Sequence, residues 1–394
     1  MRVTNSAIMR NFTSSINDVH SKLNKSMNKV SSGKAYESAA ENPLAYYEGQ
    51  KIDHQYQDTL SKLSLTTSIK NRLYQQELGV RSIQGTLSNA KTQIEYIRSD
   101  SNNGDMKTVN TIKEDLLQKM QSMVNDLNGQ YQNYYVFGGN NSTTPPFSLS
   151  ADGMTLTFSH QFAGDDKTTE MVMTLEQGND GSYQYVYGKK VDLGGGAMGY
   201  PPAPEDGNPD QTMDNILRAM KEQGRVDIGY GNISDRDTLL DTFTGGLNLM
   251  TGLSSDALRT MSDSDAKAII QERMNQSPLG LIGQAVDTLN KYADEDIDKS
   301  QFSSVLGSVM DQMTTTEHNV STVYSDLGNK YSLVESTETK LNSMKDSLEE
   351  QYNDKLGADP YEAIIEVNYY QYAYTATQKA ASYMMQSSLF DFMR

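Results

Sequence analysis

The sequence predicts a mainly α protein with an inserted β-rich domain. Three observations carry this. Apolar residues recur at helical spacing through both ends of the chain, they switch to alternation from about Pro145, and a heptad near the C-terminus runs through seven positions without a miss. The implied order is helices, then strands, then helices again, which brings both ends of the chain to one pole.

A chain of 394 residues holds two or three domains. The patterning divides it into a terminal paired-helix domain (1–40 plus 358–394), a helical-bundle rod (41–144 plus 226–357) and a β-rich outer domain (145–225). Apolar residues make up 36% of the chain, short of the roughly 45–50% of ordinary globular domains, which suits thin layers better than a thick core. Lys and Arg number 34 against 51 Asp and Glu, a net charge of −17, which argues against nucleic acid as a partner. Cysteine is absent, so disulfides, thiol catalysis and cysteine-held zinc are excluded. No run of 18 apolar residues occurs and no membrane insertion is expected. The first residues lack the apolar stretch of a cleaved signal peptide. Their basic, Ser-rich, acid-poor character also fits a transit peptide, but their helical counterpart at the other end argues for a structural role.

Taken in order, the first element is a thin stripe of Ile8, Phe12, Ile16, Val19, Leu23, Met27 and Val30. Residues 1–34 carry six Lys or Arg against one Asp, a charge of +5. A seam follows through Val80, Ile83, Leu87, Ala90, Ile94 and Ile97, and another through Ile112, Leu116, Met120, Met123 and Leu127. The turn at 101–105 makes these two helices antiparallel neighbours. Phe147–Leu149, Met154–Phe158, Met171–Leu175 and Tyr183–Tyr187 alternate as antiparallel strands, bounded by turns at Asp152-Gly153, Asn179–Gly181 and Gly188. Residues 194–210 read as loop, and helical patterning returns around Asp237–Met250.

The strongest pattern is the heptad Leu306, Met313, Val320, Leu327, Val334, Leu341 and Leu348, a coiled-coil seam. At 1.5 Å per residue such a helix is a rod of about 64 Å. The last stripe is Ile365, Tyr369, Tyr372, Ala376, Ala380 and Tyr383, on a segment that carries −2 over 359–394. Neither terminal stripe buries enough surface to order alone, so the two helices are expected to order against each other or against neighbouring copies. Leu389, Phe390 and Phe392 at the end of the chain are candidate assembly residues, because no core of their own is large enough to bury them. An Asp at Tyr187 is expected to leave the helical layer folded.

Apparent chemical motifs dissolve on inspection. Gly194, Gly196 and Gly199 match the letters of a dinucleotide fingerprint, but Tyr200-Pro201-Pro202 follows where a helix must open. Asp294, Asp296 and Asp298 mimic a calcium loop, yet Lys299 and Val305 stand where Gly and Glu are needed, so a solvated acidic turn at a helix start is expected. Ser32-Gly33-Lys34 lacks the upstream glycine of a phosphate loop. His20, His54, His160 and His318 are scattered. The chain is therefore read as no enzyme, with no catalytic, cofactor-binding or metal residues.

Arg2-Val3-Thr4-Asn5, Val30-Ser-Ser-Gly33-Lys34 and Ala39-Ala-Glu-Asn-Pro43 resemble the N-terminal region of bacterial flagellins. Leu327-Gly328, Gln371 and Ser388-Leu389-Phe390-Asp391-Phe392 resemble their C-terminal region. Within that superfamily, Tyr135-Val-Phe137-Gly138-Gly139 followed by Pro146-Phe147 is similar to the hook–filament junction family, hook-associated protein 3. Glu41-Asn42 departs from the usual acidic pair, and Asn329-Lys330 from the usual Arg after Leu-Gly. The resemblance implies a flagellin-like layered rod of paired terminal helices, helical bundle and outer β domain. It also implies export through the flagellar type III apparatus with an export chaperone, and assembly as a ring of copies between hook-associated protein 1 and flagellin. Flagellin itself, or another secreted coiled-coil assembly protein such as a secretion-system tip, is the alternative.

Overall fold

The computed structural model describes the backbone of residues 5–392 except 100–101, 140–142, 163, 180, 194–197, 223–224, 228–238 and 242–243. It describes the side chains of that set other than 5–6, 8–9, 225–227, 239–241 and 384–392. The chain is mainly α-helical with a small antiparallel sheet region. Helices α1 (Asn5–Ser32), α2 (Pro43–Arg98) and α3 (Met106–Leu127) lead into the hairpin β1–β2 (Gln130–Tyr131, Tyr134–Tyr135). The meander β3–β6 follows (Phe147–Leu149, Thr155–His160, Thr169–Gln177, Tyr183–Tyr187), then the short pair β7–β8 (Val191–Asp192, Met198–Gly199). Next come α4 (Pro209–Lys221), the pair β9–β10 (Arg225–Asp227, Leu239–Asp241), α5 (Gly246–Thr251), α6 (Ser255–Thr260), α7 (Asp263–Asn275) and α8 (Pro278–Ala293). The long α9 (Lys299–Leu356) and α10 (Pro360–Phe392) close the order.

The chain forms two compact units, one of residues 1–64 with 339–394 and the other of residues 65–338. In the second unit α2 and α9 run antiparallel, as their polar contacts show. Lys70 meets Glu338, the Tyr324 hydroxyl donates to Glu77 at 3.1 Å, and Lys91 donates to Thr314 at 2.8 Å. The α2–α3 turn is closed by Asp105, whose carboxylate accepts the Lys107 N–H and the Thr108 hydroxyl. Each seam residue predicted between Val80 and Leu127 is buried.

The meander lays Phe158 opposite Phe147 on one side and Met171 on the other, and Met173 opposite Tyr187. Period-two alternation turns Leu156, Phe158, His160, Met171, Met173, Leu175, Tyr185 and Tyr187 inward. This face does not form a core of its own. It joins one apolar cluster with residues of α2, α3, α4, α7, α8 and α9. Asn128 stitches the end of α3 to β3, donating to the Phe147 carbonyl at 2.7 Å and accepting its N–H at 2.9 Å. Asn275 accepts the Tyr185 N–H, and the Tyr183 hydroxyl donates to Asp287 on α8 at 2.6 Å.

One expectation is corrected. Residues 237–250 are not a single helical stretch, because Leu239–Asp241 pairs antiparallel with Arg225–Asp227 and helix begins at Gly246. Leu239–Asp241 instead finds backbone partners on a strand that the local sequence does not reveal.

Candidate assembly surface

In the first unit α1 and α10 lie side by side, antiparallel. Lys29 Nζ and the Ser26 hydroxyl both reach Glu366 Oε2, at 3.1 and 3.3 Å, and the His20 ring lies 5.5 Å from that of Tyr374. A small residue allows the approach, since Ser26 is buried at the contact. The pair is tied at its base by backbone. The Ala35 N–H donates to the Leu356 carbonyl at 2.7 Å and the Ala358 N–H to the Gly33 carbonyl at 2.9 Å. Gly33 has φ +67°, a left-handed conformation that ends α1 and turns the chain back.

The loop that follows is anchored by charge. Glu41 accepts Lys25 Nζ at 2.8 Å and the Glu37 N–H at 3.0 Å, and this lysine contact above all holds its carboxyl below the usual range. Asn42 Oδ1 accepts the Ala45 N–H and Pro43 follows at the first helical position, which together open α2. The departure from an acidic pair at Glu41-Asn42 is thus a helix cap.

On α1, Phe12, Ile16, Val19 and Leu23 are half-buried, while Met27 and Val30 are exposed. The side chains of Ile8, Leu389, Phe390 and Phe392 lie outside the described residues. On α10 the stripe read from spacing is not the one that meets α1. The half-buried positions are Glu366, Val367, Tyr370, Ala373, Tyr374, Thr377, Ala380 and Ala381. Ile365, Tyr369, Tyr372 and Tyr383 point to solvent, Tyr369 at 66% and Tyr372 at 78% exposure. Ala376 is exposed too, and Ala380 half-buried. Two faces of α10 carry tyrosine, so periodicity alone does not choose between them. Charge does, because Glu366 faces Lys29 on α1.

The heptad residues Leu306, Met313, Val320, Leu327 and Val334 are buried within the second unit, and Leu341 and Leu348 within the first. Thr316, one turn after Met313, is buried and donates its hydroxyl to the Gln276 carbonyl at 2.8 Å. The α2 seam read from Val80 onward continues back toward the start of the helix as a heptad. Ile52, Thr59, Thr66, Leu73, Val80, Leu87 and Ile94 on α2 are all buried. The signal was the seven-residue spacing, masked in its first half by two threonines.

The remaining motifs become structural. Asp298 accepts the Gln301 N–H at 2.8 Å while Gln301 accepts the Asp298 N–H at 3.1 Å, a reciprocal cap opening α9. Gly194 and Gly196 lie outside the described residues, Gly199 belongs to β8, and helix resumes only at Pro209, after the Asn208 cap. Among the described residues no three His, Cys, Asp or Glu come together as a metal set, and no helix is long and apolar enough to cross a membrane.

No protein-family model matches the sequence, and no curated protein matches it. Solved structures do. A chain assigned as a flagellar hook-associated protein from Vibrio parahaemolyticus is similar with a TM-score of 0.49 at 11% identity, over 80% of this chain and 100% of that one. Bacillus cereus FlgL is similar with a TM-score of 0.37 at 12% identity, over 77% of this chain and 99% of that one. At these scores neither likeness assigns the chain a function.

Proposed function

We propose that this chain is a structural subunit of the bacterial flagellum that forms the junction ring between hook and filament. The observation that carries the reading is the terminal helix pair, α1 against α10, whose outer face exposes Ile365, Tyr369, Tyr372 and Tyr383. Such a face has no intramolecular cover and fits a protein that completes its burial in an assembly. The residues that resemble flagellins at both ends support the same reading. On it, Ile8, Phe12, Ile16, Val19, Leu23, Leu389, Phe390 and Phe392 join the tyrosines in subunit contacts, and the Leu306–Leu348 seam stiffens a rod. The three-part division at residues 40, 145, 225 and 358 separates assembly, rod and outer parts. The partners are hook-associated protein 1, flagellin, further copies of the chain, the flagellar type III apparatus and an export chaperone. The place is the extracellular flagellum, and the role is mechanical, with no catalysis or cofactor.

Deleting the gene tests it. The expected cells carry bare hooks, do not swim and release flagellin into the medium. Filaments of normal length on the deletion strain would overturn the junction role, and long filaments from the pure protein would make it a flagellin instead.

A further inference from the structure

A second surface lies on the unit of residues 65–338. There α2, the end of α3 and the β1–β2 hairpin enclose a cavity of about 210 Å³, lined by Gln75, Leu78, Gly79, Asp126, Gln130 and Val136 among others. Gly79 lets the backbone of α2 come close to Phe137, since a Cβ there would stand 2.7 Å from that ring. Leu78, in this lining, is 39% exposed. The hairpin turn is made by Gln132 and Asn133, at φ +48° and +67°, the left-handed pair that a two-residue hairpin loop takes.

Asp126 is the charged group of the cavity. Its carboxylate accepts the Ser82 hydroxyl at 2.7 Å, and no described Lys or Arg pairs with it. It sits in the last turn of α3, where the helix dipole is negative and disfavours an anion. Burial holds its carboxyl above the usual range, against the weaker effect of the Ser82 hydrogen bond. Elsewhere in the unit, partly buried Glu338 and Glu317 each have a lysine, Lys70 and Lys91. Asp126 carries the same cost without that compensation.

We propose that this cavity is a docking site for a Lys or Arg side chain of a partner protein, the cation meeting Asp126 while a neighbouring apolar residue covers Leu78. A cation relieves both the desolvation of Asp126 and its clash with the helix dipole, and the apolar rim excludes water from the pair.

The test uses the full chain with labelled methyl groups, titrated with acetyl-Leu-Arg-Leu-amide and with acetyl-Leu-Gln-Leu-amide. The expected result is saturable shifts at the Leu78 and Val136 methyls with the Arg peptide alone, and at least tenfold weaker binding by Asp126→Asn. That variant removes a charge disfavoured at a helix end and is expected to fold. Binding unchanged in Asp126→Asn, or shifts spread over the acidic surface without Leu78 and Val136, would overturn the site. Equal shifts from ethylamine at the same concentration would make it a small-amine site and overturn docking.

Discussion

His160 is 2% exposed, held between the rings of Phe158 and Phe162, and neither of its ring nitrogens has a hydrogen-bond partner among the described residues. Burial pushes its pKa below the ordinary histidine value, outweighing nearby Glu222, while Arg218 adds to the depression. A depressed folded pKa contributes stability that is whole above the unfolded value of about 6.5 and is lost as pH falls through the folded value. The urea midpoint of the wild type should therefore drop between pH 7 and pH 5 more steeply than that of His160→Leu; parallel slopes would rule this out. Gln76 is a buried polar residue on the α2 seam, where it donates to the Val136 carbonyl at 2.6 Å and the Thr244 carbonyl at 3.0 Å. Gln76→Leu strands both carbonyls and should cost about 1–3 kcal/mol by equilibrium unfolding. Leu327→Asp puts a carboxylate at a buried heptad position of α9 and should cost several kcal/mol, enough to unfold much of a domain of ~5–15 kcal/mol stability.

At the scale of elements, α10 offers a paired experiment. Tyr369→Ser with Tyr372→Ser alters the exposed face alone, so the monomer should keep its helical circular dichroism while losing, on the proposed junction role, its incorporation at the hook tip. Tyr370→Ser with Tyr374→Ser alters the half-buried face and should loosen α1 from α10 in the monomer itself. Normal incorporation by the first pair would free the outer face of any role. The sheet calls for a revised expectation. Tyr187 lies in the same apolar cluster as Leu127, Leu306 and Leu289, so Tyr187→Asp should destabilise the helices of its unit along with the strands. Loss of helical signal at a lower urea concentration than in the wild type is the measurement.

Over the whole molecule, burial is unevenly shared. The large apolar cluster belongs to residues 65–338, whereas the described apolar residues buried in the other unit are Ile52, Leu341, Leu348, Leu356 and Ala363. Local stability follows apolar burial. In the free monomer, amides of 10–32 and 360–383 should exchange with solvent well before those of 80–127 and 278–293, and the difference should shrink on assembly. Equal protection of both sets in a monomeric sample would contradict the view that the terminal pair orders mainly in company.

Period and spacing by themselves determined the helix–strand–helix order, the α2–α3 turn, the α9 heptad and the hairpins of the meander, because these depend on neighbours within a few residues. They did not reveal α8, whose Leu279, Leu281, Ile282, Ala285, Val286 and Leu289 are buried on several faces and leave no single stripe, although Ser277 before Pro278 marks its start. Nor did they extend the α2 seam through Thr59 and Thr66, where a heptad is kept by residues that are not apolar. Which face of α10 meets α1, which strand Leu239–Asp241 joins, and the sharing of one core by sheet and helices were decided by tertiary structure alone. Each rests on contacts between residues far apart in the chain, such as Lys29 with Glu366 or Gln76 with Thr244, and local periodicity carries no term for such pairs.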